Sequence, residues 1–228
     1  MGIERETPMT LAQQQAGAIA KRVGHENEVA MCQWLNETIG GNHIVDGGCL
    51  TKQDIIETNT GVGYSLKSVS KNHTQCHLTS TARWVDFFGI EGDLKAWFDQ
   101  FFGIPGQDVS EGGSRQHRLT SEQIESDLNQ KALDWFNENR MGIFDVIVRN
   151  GMSDTPVQFM IWYTKTDGER RLINIDDLAE MVYNGEWILR GTTLHFISGG
   201  TKMFHLQMKG SGKKYTSGYH GMMFHIYN

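Results

Sequence analysis

The sequence has few of the features that mark membrane proteins, secreted disulfide-bonded proteins or zinc proteins. Its three cysteines, Cys32, Cys49 and Cys76, are odd in number and lack C-x-x-C spacing. Neither a disulfide framework nor a cysteine zinc site is therefore predicted. There is no apolar run of about eighteen residues, so no transmembrane helix is predicted. The segment from Met1 to Glu6 does not resemble a signal peptide, and we expect a cytoplasmic, intracellular protein without a membrane partner.

Motifs of several enzyme classes are also missing. The sequence has no G-x-G-x-x-G, Walker A or G-x-S-x-G segment, which lowers the odds of nucleotide-driven or serine-hydrolase chemistry. Nine histidines are scattered along the chain, and none lies in an H-E-x-x-H or HNH-like arrangement.

The net charge of −6 argues against an indiscriminate nucleic-acid binder, but the charge is unevenly distributed. Residues 201–228 contain four lysines and no acidic residue, in two strand-like runs around a glycine-rich loop. This pattern predicts a C-terminal basic β-hairpin that faces phosphate. The residues of this segment that we expect to contact DNA are Lys209, Lys213, Lys214, Tyr215, Tyr219 and His220.

The length of 228 residues predicts one domain, residues 1–228, with its core at about 20–82. Apolar periodicity predicts helices at about 10–22, 25–38, 84–102 and 120–139, and a short one near 176–183. Strands are predicted at 43–46, 53–58, 63–69, 143–149, 157–164, 171–175 and 193–197, besides the two of the hairpin. The aromatic segment 84–102 is expected to form core or a dimer face.

Asp54 and Lys67 lie on two predicted strands around the turn Thr58–Gly61. Because side chains alternate along a strand, Ser65 and Lys67 share one face and Leu66 lies on the other. The hairpin should bring Asp54 beside Lys67. Glu28 lies upstream, in the first turns of the helix predicted at 25–38. A carboxylate binds a hard cation and an ammonium can orient water or stabilise phosphate charge, so this order suggests metal-dependent phosphodiester hydrolysis.

These residues resemble the PD-(D/E)xK nucleases, which include many type II restriction endonucleases and Holliday-junction resolvases. The resemblance covers roughly residues 20–82 and depends on Gly24-x-x-x-Glu28, Asp54 and Ser65-Leu66-Lys67. It implies an α/β fold with a mixed central β-sheet flanked by helices. It also implies Mg²⁺, with Mn²⁺ as a substitute, bound by Asp54, Glu28 and the Leu66 carbonyl, with Lys67 activating water. The implied partners are double-stranded DNA and a second copy of the chain, as a homodimer.

The sequence departs from the family pattern at two positions. Gln53 replaces the proline before the aspartate, and Ser65 replaces the Asp or Glu two residues before the lysine. Glu28 is expected to supply the missing carboxylate, with Glu26 and Glu57 in reserve. Because a serine hydroxyl is a poor Mg²⁺ ligand, we expect Ser65 to contribute little to the rate.

Two further questions stay open on the sequence alone. The polar run from Lys71 through Asn72, His73, Thr74 and Gln75 is read either as a DNA contact or as a polar loop leading to the helix near Ala82. Asp145 with Lys165 makes a second Asp then x-x-Lys pattern. The leading hypothesis is a site-specific DNA endonuclease. The alternatives are a structure-selective repair or resolvase nuclease and a non-catalytic DNA-binding protein.

Overall fold

The computed structural model describes residues 11–46, 52–70, 72–103, 119–209 and 221–227, without the side chains of residues 13 and 209. These residues form a mixed α/β structure with two five-stranded sheets. The helices are α1 (Leu11–Thr38), α2 (Thr81–Phe88), α3 (Gly92–Phe102), α4 (Ser126–Glu138), α5 (Arg140–Phe144), a π-helical turn (Asp145–Arg149) and α6 (Ile175–Tyr183).

The first sheet is mixed and carries the segment that resembles the nuclease motif. Its strands, in chain order, are β1 (His43–Val45), β2 (Ile55–Glu57), β3 (Gly63–Val69), β5 (Phe159–Thr164) and β6 (Arg170–Asn174). Their spatial order is β1-β2-β3-β5-β6, with β3 and β5 parallel and the other pairs antiparallel. The predicted mixed central sheet flanked by helices is confirmed, and the sheet extends to strands beyond residue 82.

The second sheet is antiparallel throughout. Its strands are β4 (His73–Ser80), β7 (Glu186–Arg190), β8 (Thr193–Ser198), β9 (Thr201–Lys209) and β10 (Gly221–Tyr227). They follow the order β4-β10-β9-β8-β7. The predicted pairing of the two C-terminal strands is therefore observed, and β10 also pairs with β4, which directly follows β3.

Two hydrophobic clusters hold these layers together. The smaller packs Met31, Cys32 and Leu35 of α1 on Ile55, Tyr64 and Ile161 of the first sheet. The larger packs the inner face of the second sheet against α2, α3, α4, α5 and the π-helical turn. The aromatic residues Trp97, Phe98, Phe101 and Phe102 are 0% exposed within it. The prediction that these aromatic residues form part of the hydrophobic core is thus confirmed.

Local chemistry sets several boundaries. The Ser80 hydroxyl accepts a hydrogen bond from the Arg83 backbone N–H at 3.2 Å and so caps α2. Gly89 ends that helix in the left-handed conformation, with φ 61°. The turn between β2 and β3 is closed by a hydrogen bond from Gly61 N to Glu57 O at 2.8 Å, and Gly61 also has a positive φ of 75°.

Several predictions of secondary structure are wrong. The helix predicted at 84–102 is two helices, α2 and α3, because Gly89 ends the first in the left-handed conformation. The two N-terminal helices are one helix, α1, because a single glycine at Gly24 costs only about 1 kcal/mol and does not end it. Residues 143–149 are helical and not a strand. Short runs of buried β-branched residues do not separate strand from helix by pattern alone. The polar run 73–80 is strand β4 and not a loop.

Candidate active site

Asp54 is held at the start of β2 by backbone hydrogen bonds on both sides. Its N–H donates to Tyr64 O at 2.9 Å, and its carbonyl accepts from Asp46 N at 3.0 Å. These bonds align the residue with β3, as the hairpin prediction required. The side chain of Gln53 packs over Gly63, where an added Cβ would lie 2.6 Å from Gln53 Oε1. A residue larger than glycine at position 63 would therefore require the Gln53 side chain to shift.

The side chains of Asp54, Ser65 and Lys67 form one hydrogen-bonded chain. Asp54 Oδ2 accepts from the backbone N–H of Leu66 at 2.6 Å and from Ser65 Oγ at 3.2 Å. The Lys67 ammonium donates to the same Ser65 hydroxyl at 2.8 Å. Ser65 is only 1% exposed. The hydroxyl at the position of the family's second acid therefore joins the carboxylate to the ammonium.

Glu28 is within electrostatic range of Asp54, although the two are on different elements. It precedes Met31 by three residues and Leu35 by seven, so it shares the face of α1 that packs on the first sheet. Burial, followed by the negative charge of Asp54, raises the pKa of Glu28. His25, whose Nδ1 is 3.5 Å from Glu28 Oε2, opposes this rise. Glu28 is in the middle of α1 and not in its first turns, so the helix dipole does not explain the acid at this position.

Lys52 is a basic residue of the site that the sequence reasoning missed. Its ammonium donates a hydrogen bond to the Cys76 carbonyl on β4. Burial and, second, repulsion from Lys67 lower the pKa of Lys52 to about 7, while the charge of Asp54 acts in the opposite direction. The Lys52-x-Asp54 spacing was the available signal, because alternate residues of an extended segment point to the same side.

His77 on β4 lies near these two lysines. Burial, then the positive charges of Lys52, Lys67 and Arg83, lower its pKa to about 3. Its ring packs near Trp84, at 6.3 Å between centroids, and Nε2 is buried without a hydrogen-bond partner among the described residues. The site thus has two acids on one side and several basic groups on the other.

The acids present are suited to Mg²⁺. No group of three or more His, Cys, Asp and Glu side chains in the described ranges is arranged to hold a metal ion. Mg²⁺, however, is usually bound by one or two carboxylates, with waters and substrate phosphates as the other ligands. Both described hydrogen bonds to the Asp54 carboxylate fall on Oδ2, which leaves Oδ1 for a cation. The neighbouring Glu28 carboxylate supplies a second oxygen donor.

The competing acids have other partners. Asp145 is on the π-helical turn and not on a strand, with its Oδ1 3.4 Å from Arg149 Nε. Glu57, a reserve ligand, accepts hydrogen bonds from Asn42, Asn59 and Thr60, which lower its pKa to about 2. The other reserve, Glu26, pairs with Arg22 on the exposed side of α1.

The expected DNA-binding residues fall into two groups. Asn72, His73, Thr74 and Gln75 lead into and begin β4, and His73 packs 5.1 Å from the Tyr227 ring. Lys209 ends β9, without a described side chain. The others, Lys71, Lys213, Lys214, Tyr215, Tyr219 and His220, lie outside the described residues.

Comparisons with known proteins gave a structural likeness but no sequence relative. No family model matches the chain, and no curated protein matches it. The structure is similar to a crystal structure of the restriction endonuclease MspI in complex with its cognate DNA. The identity is 15%, the TM-score is 0.47, and the match covers 81% of this chain and 69% of MspI. Among the described residues, no helix is long and apolar enough to cross a membrane.

Proposed function

We propose that this protein is a divalent-metal-dependent endonuclease that hydrolyses double-stranded DNA at specific sites. The observation that carries the proposal is the hydrogen-bonded chain Asp54–Ser65–Lys67, and the charge of Asp54 also acts on the Glu28 carboxylate. This arrangement joins a carboxylate that can bind a cation to an ammonium on β3. Hydrolysis of a phosphodiester needs both, because negative charge develops on phosphate while water attacks.

Each residue has a role in the proposed site. Asp54 and Glu28 would hold Mg²⁺ or Mn²⁺, with the Leu66 carbonyl as a further oxygen ligand. The ion, when bound, would polarise the phosphate and acidify water. Lys67 would orient the attacking water and stabilise charge on the phosphate. Ser65 fixes the Lys67 ammonium at 2.8 Å, which would limit the orientations that Lys67 must search.

Lys52 would act as a positioning residue. Its hydrogen bond to the Cys76 carbonyl ties the segment before Asp54 to β4. The same strand carries His77 beside Lys67. We expect this link to keep β4, and DNA that passes along it, in register with the acids.

DNA recognition is assigned to the polar start of β4 and to the basic segment between β9 and β10. Lys209 at the end of β9, and Lys213 and Lys214 after it in sequence, would meet phosphates and so fix the orientation of the protein on the duplex. We also propose a homodimer, because two-fold protein symmetry would match the two-fold symmetry of a palindromic site.

The test is a digest of phage DNA with the purified chain and Mg²⁺, compared with Asp54→Ala and with Asp145→Ala as the matched control. We expect discrete bands from the wild type and from Asp145→Ala, and none from Asp54→Ala, whose binding to DNA in Ca²⁺ should persist. Activity of Asp54→Ala with loss in Asp145→Ala would move the site to the π-helical turn. A smear on the gel would indicate nonspecific or structure-selective cleavage instead of site-specific cleavage. Uncut DNA would favour a non-catalytic DNA-binding protein.

A further inference from the structure

Histidines that are far apart in the sequence form a continuous row across the second sheet. His195 of β8 pairs in register with His205 of β9, and His205 pairs with His225 of β10. The His205 and His225 rings stack with centroids 4.4 Å apart and planes at 12°, and His195 is 6.2 Å from His205. His73, at the start of β4, is 5.3 Å from His225. Four adjacent strands thus contribute one imidazole each.

This row lies on the outer face of the sheet. The residues that flank the histidines in sequence, such as Leu194, Phe204 and Phe224, are buried in the larger hydrophobic cluster. Because side chains alternate between the two faces of a strand, the imidazoles point away from that core. His205 is 7% exposed, since its neighbours in the row cover it, and both ring nitrogens of His225 are buried without a hydrogen-bond partner among the described residues. The partly exposed His73 and His195 are therefore the imidazoles of the row that a ligand can reach first.

The charges around the row are mainly positive. Lys202 Nζ lies 4.2 Å from the centroid of the Tyr227 ring, and Tyr227 Oη is hydrogen-bonded to His205 Nδ1 at 2.8 Å. Arg190 and His195 line a neighbouring groove of about 620 Å³. Glu186, at the rim of that groove, is the acid that the described residues place on this face.

The imidazoles oppose one another's protonation. Burial, then the charges of His225 and Lys202, lower the pKa of His205 to about 3. Burial and, second, His73 lower the pKa of His225. The pKa of His195 is lowered by burial and then by the charges of Lys202 and Arg190. His195, His205 and His225 are therefore neutral near pH 7. A polyanion laid over the row would offset this repulsion and favour uptake of protons.

We propose that this histidine face, made of His73, His195, His205, His225, Lys202 and Tyr227, binds the phosphate backbone of DNA with an affinity that rises on acidification. Strand β4 joins it to the candidate active site, because His73 is on the outer face while Cys76 and His77 lie beside Lys52 and Lys67. The positive charges and the histidine row of this face indicate a polyanion as its ligand. That the polyanion is DNA rests on the proposed function.

The test measures the affinity of the full chain for a labelled random-sequence duplex by fluorescence anisotropy, in EDTA, at pH 7.5 and pH 5.5 and constant ionic strength. We expect the wild-type affinity to rise about tenfold on acidification, since each proton taken up on binding raises the affinity by at most about tenfold per pH unit. The double variant His205→Gln/His225→Gln should gain less than about threefold. Met223→Gln is the matched control, because it changes β10 two residues from His225 without removing a proton acceptor. It should gain as much as the wild type.

Lys202→Met supplies a second measurement. If Lys202 meets a phosphate, the slope of log affinity against log salt should fall by about one unit. The proposal would be overturned if the DNA affinity of the double histidine variant rose on acidification as much as that of the wild type, or if the wild-type affinity did not rise. An unchanged salt slope in Lys202→Met would also overturn it. Circular dichroism at both pH values checks folding. If the double variant is unfolded, His195→Gln replaces it, and a full wild-type gain there overturns the proposal. If the affinity rises at pH 5.5 but no Mg²⁺-dependent cleavage is found, the proposed nuclease function is refuted and the proposed role of the histidine face is retained.

Discussion

Replacement of Ser65 by alanine removes one hydroxyl from the centre of the candidate active site. That hydroxyl donates to Asp54 Oδ2 over 3.2 Å and accepts from the Lys67 ammonium over 2.8 Å. Asp54 keeps its hydrogen bond from the Leu66 N–H at 2.6 Å. The carboxylate should therefore stay in place, and the main loss falls on the orientation of Lys67.

The size of the effect follows from these contacts. A hydrogen bond to a charged group contributes about 1.5–3 kcal/mol. If one such bond is lost between the ground state and the transition state, the rate falls by about 10- to 150-fold, since about 1.4 kcal/mol corresponds to a factor of ten. This loss is larger than a poorly coordinating hydroxyl alone would suggest. It should appear in the rate of cleavage, while the Mg²⁺ requirement changes little.

Single-turnover cleavage of a cognate duplex, with saturating enzyme across a Mg²⁺ series, measures both quantities. Ser68→Ala is the matched control, because Ser68 lies on the same strand but on the opposite face. It should cleave within about twofold of the wild type, as expected for a substitution away from the site.

Two results would refute the reasoning about Ser65. A loss smaller than about threefold would show that its hydrogen bond does not align Lys67 for catalysis. A loss as severe as that of Lys67→Ala, together with a much higher Mg²⁺ requirement, would make Ser65 a metal ligand.

Lys67→Ala should lower the cleavage rate by several orders of magnitude while DNA binding in Ca²⁺ persists; a near wild-type rate would exclude Lys67 from the chemistry. Alanine at Lys209, Lys213 and Lys214 together should weaken binding to cognate and random duplexes alike and reduce the salt slope by roughly one unit per lost phosphate contact. An unchanged slope would transfer the DNA-facing role to the start of β4. Because the pKa of His205 is depressed from 6.5 to about 3, its contribution to stability is complete above pH 6.5 and is lost as the pH falls toward 3. Urea unfolding of His205→Gln should therefore be less sensitive to pH over this window, by about 1–3 kcal/mol, and an equal sensitivity would contradict the assignment.

The strands that carry the motif were predictable because their pattern is local. β3 covers Gly63–Val69 as predicted, and Leu66 joins the α1 cluster while Ser65 and Lys67 share the other face. Turn residues and period-two alternation suffice for such a hairpin. The strand predicted at Ile143–Arg149 was wrong for the opposite reason. Its apolar residues are buried in the large cluster whichever backbone they adopt, so the pattern carries no period that decides between helix and strand.

The candidate site divides in a similar way. Asp54, Ser65 and Lys67 are close in sequence, and a resemblance over a short segment located them. From the sequence, Ser65 was interpreted as the loss of a carboxylate metal ligand. The structure instead places its hydroxyl between Asp54 and Lys67. Lys52 was missed because its environment depends on burial and on Cys76 of β4, which belongs to the other sheet.

By itself, the sequence determined the helical character of the segment before the motif, the hairpin and the shared face of Ser65 and Lys67, since each follows from side-chain periodicity and turn chemistry over a few residues. The mixed sheet was expected from the family resemblance. Only the tertiary structure decided which distant residues meet. Strand register aligns His195, His205 and His225 across three strands, and the packing of α1 on the first sheet brings Glu28 to Asp54. The physical reason is that register and packing depend on contacts between segments far apart in the chain, which no local pattern specifies.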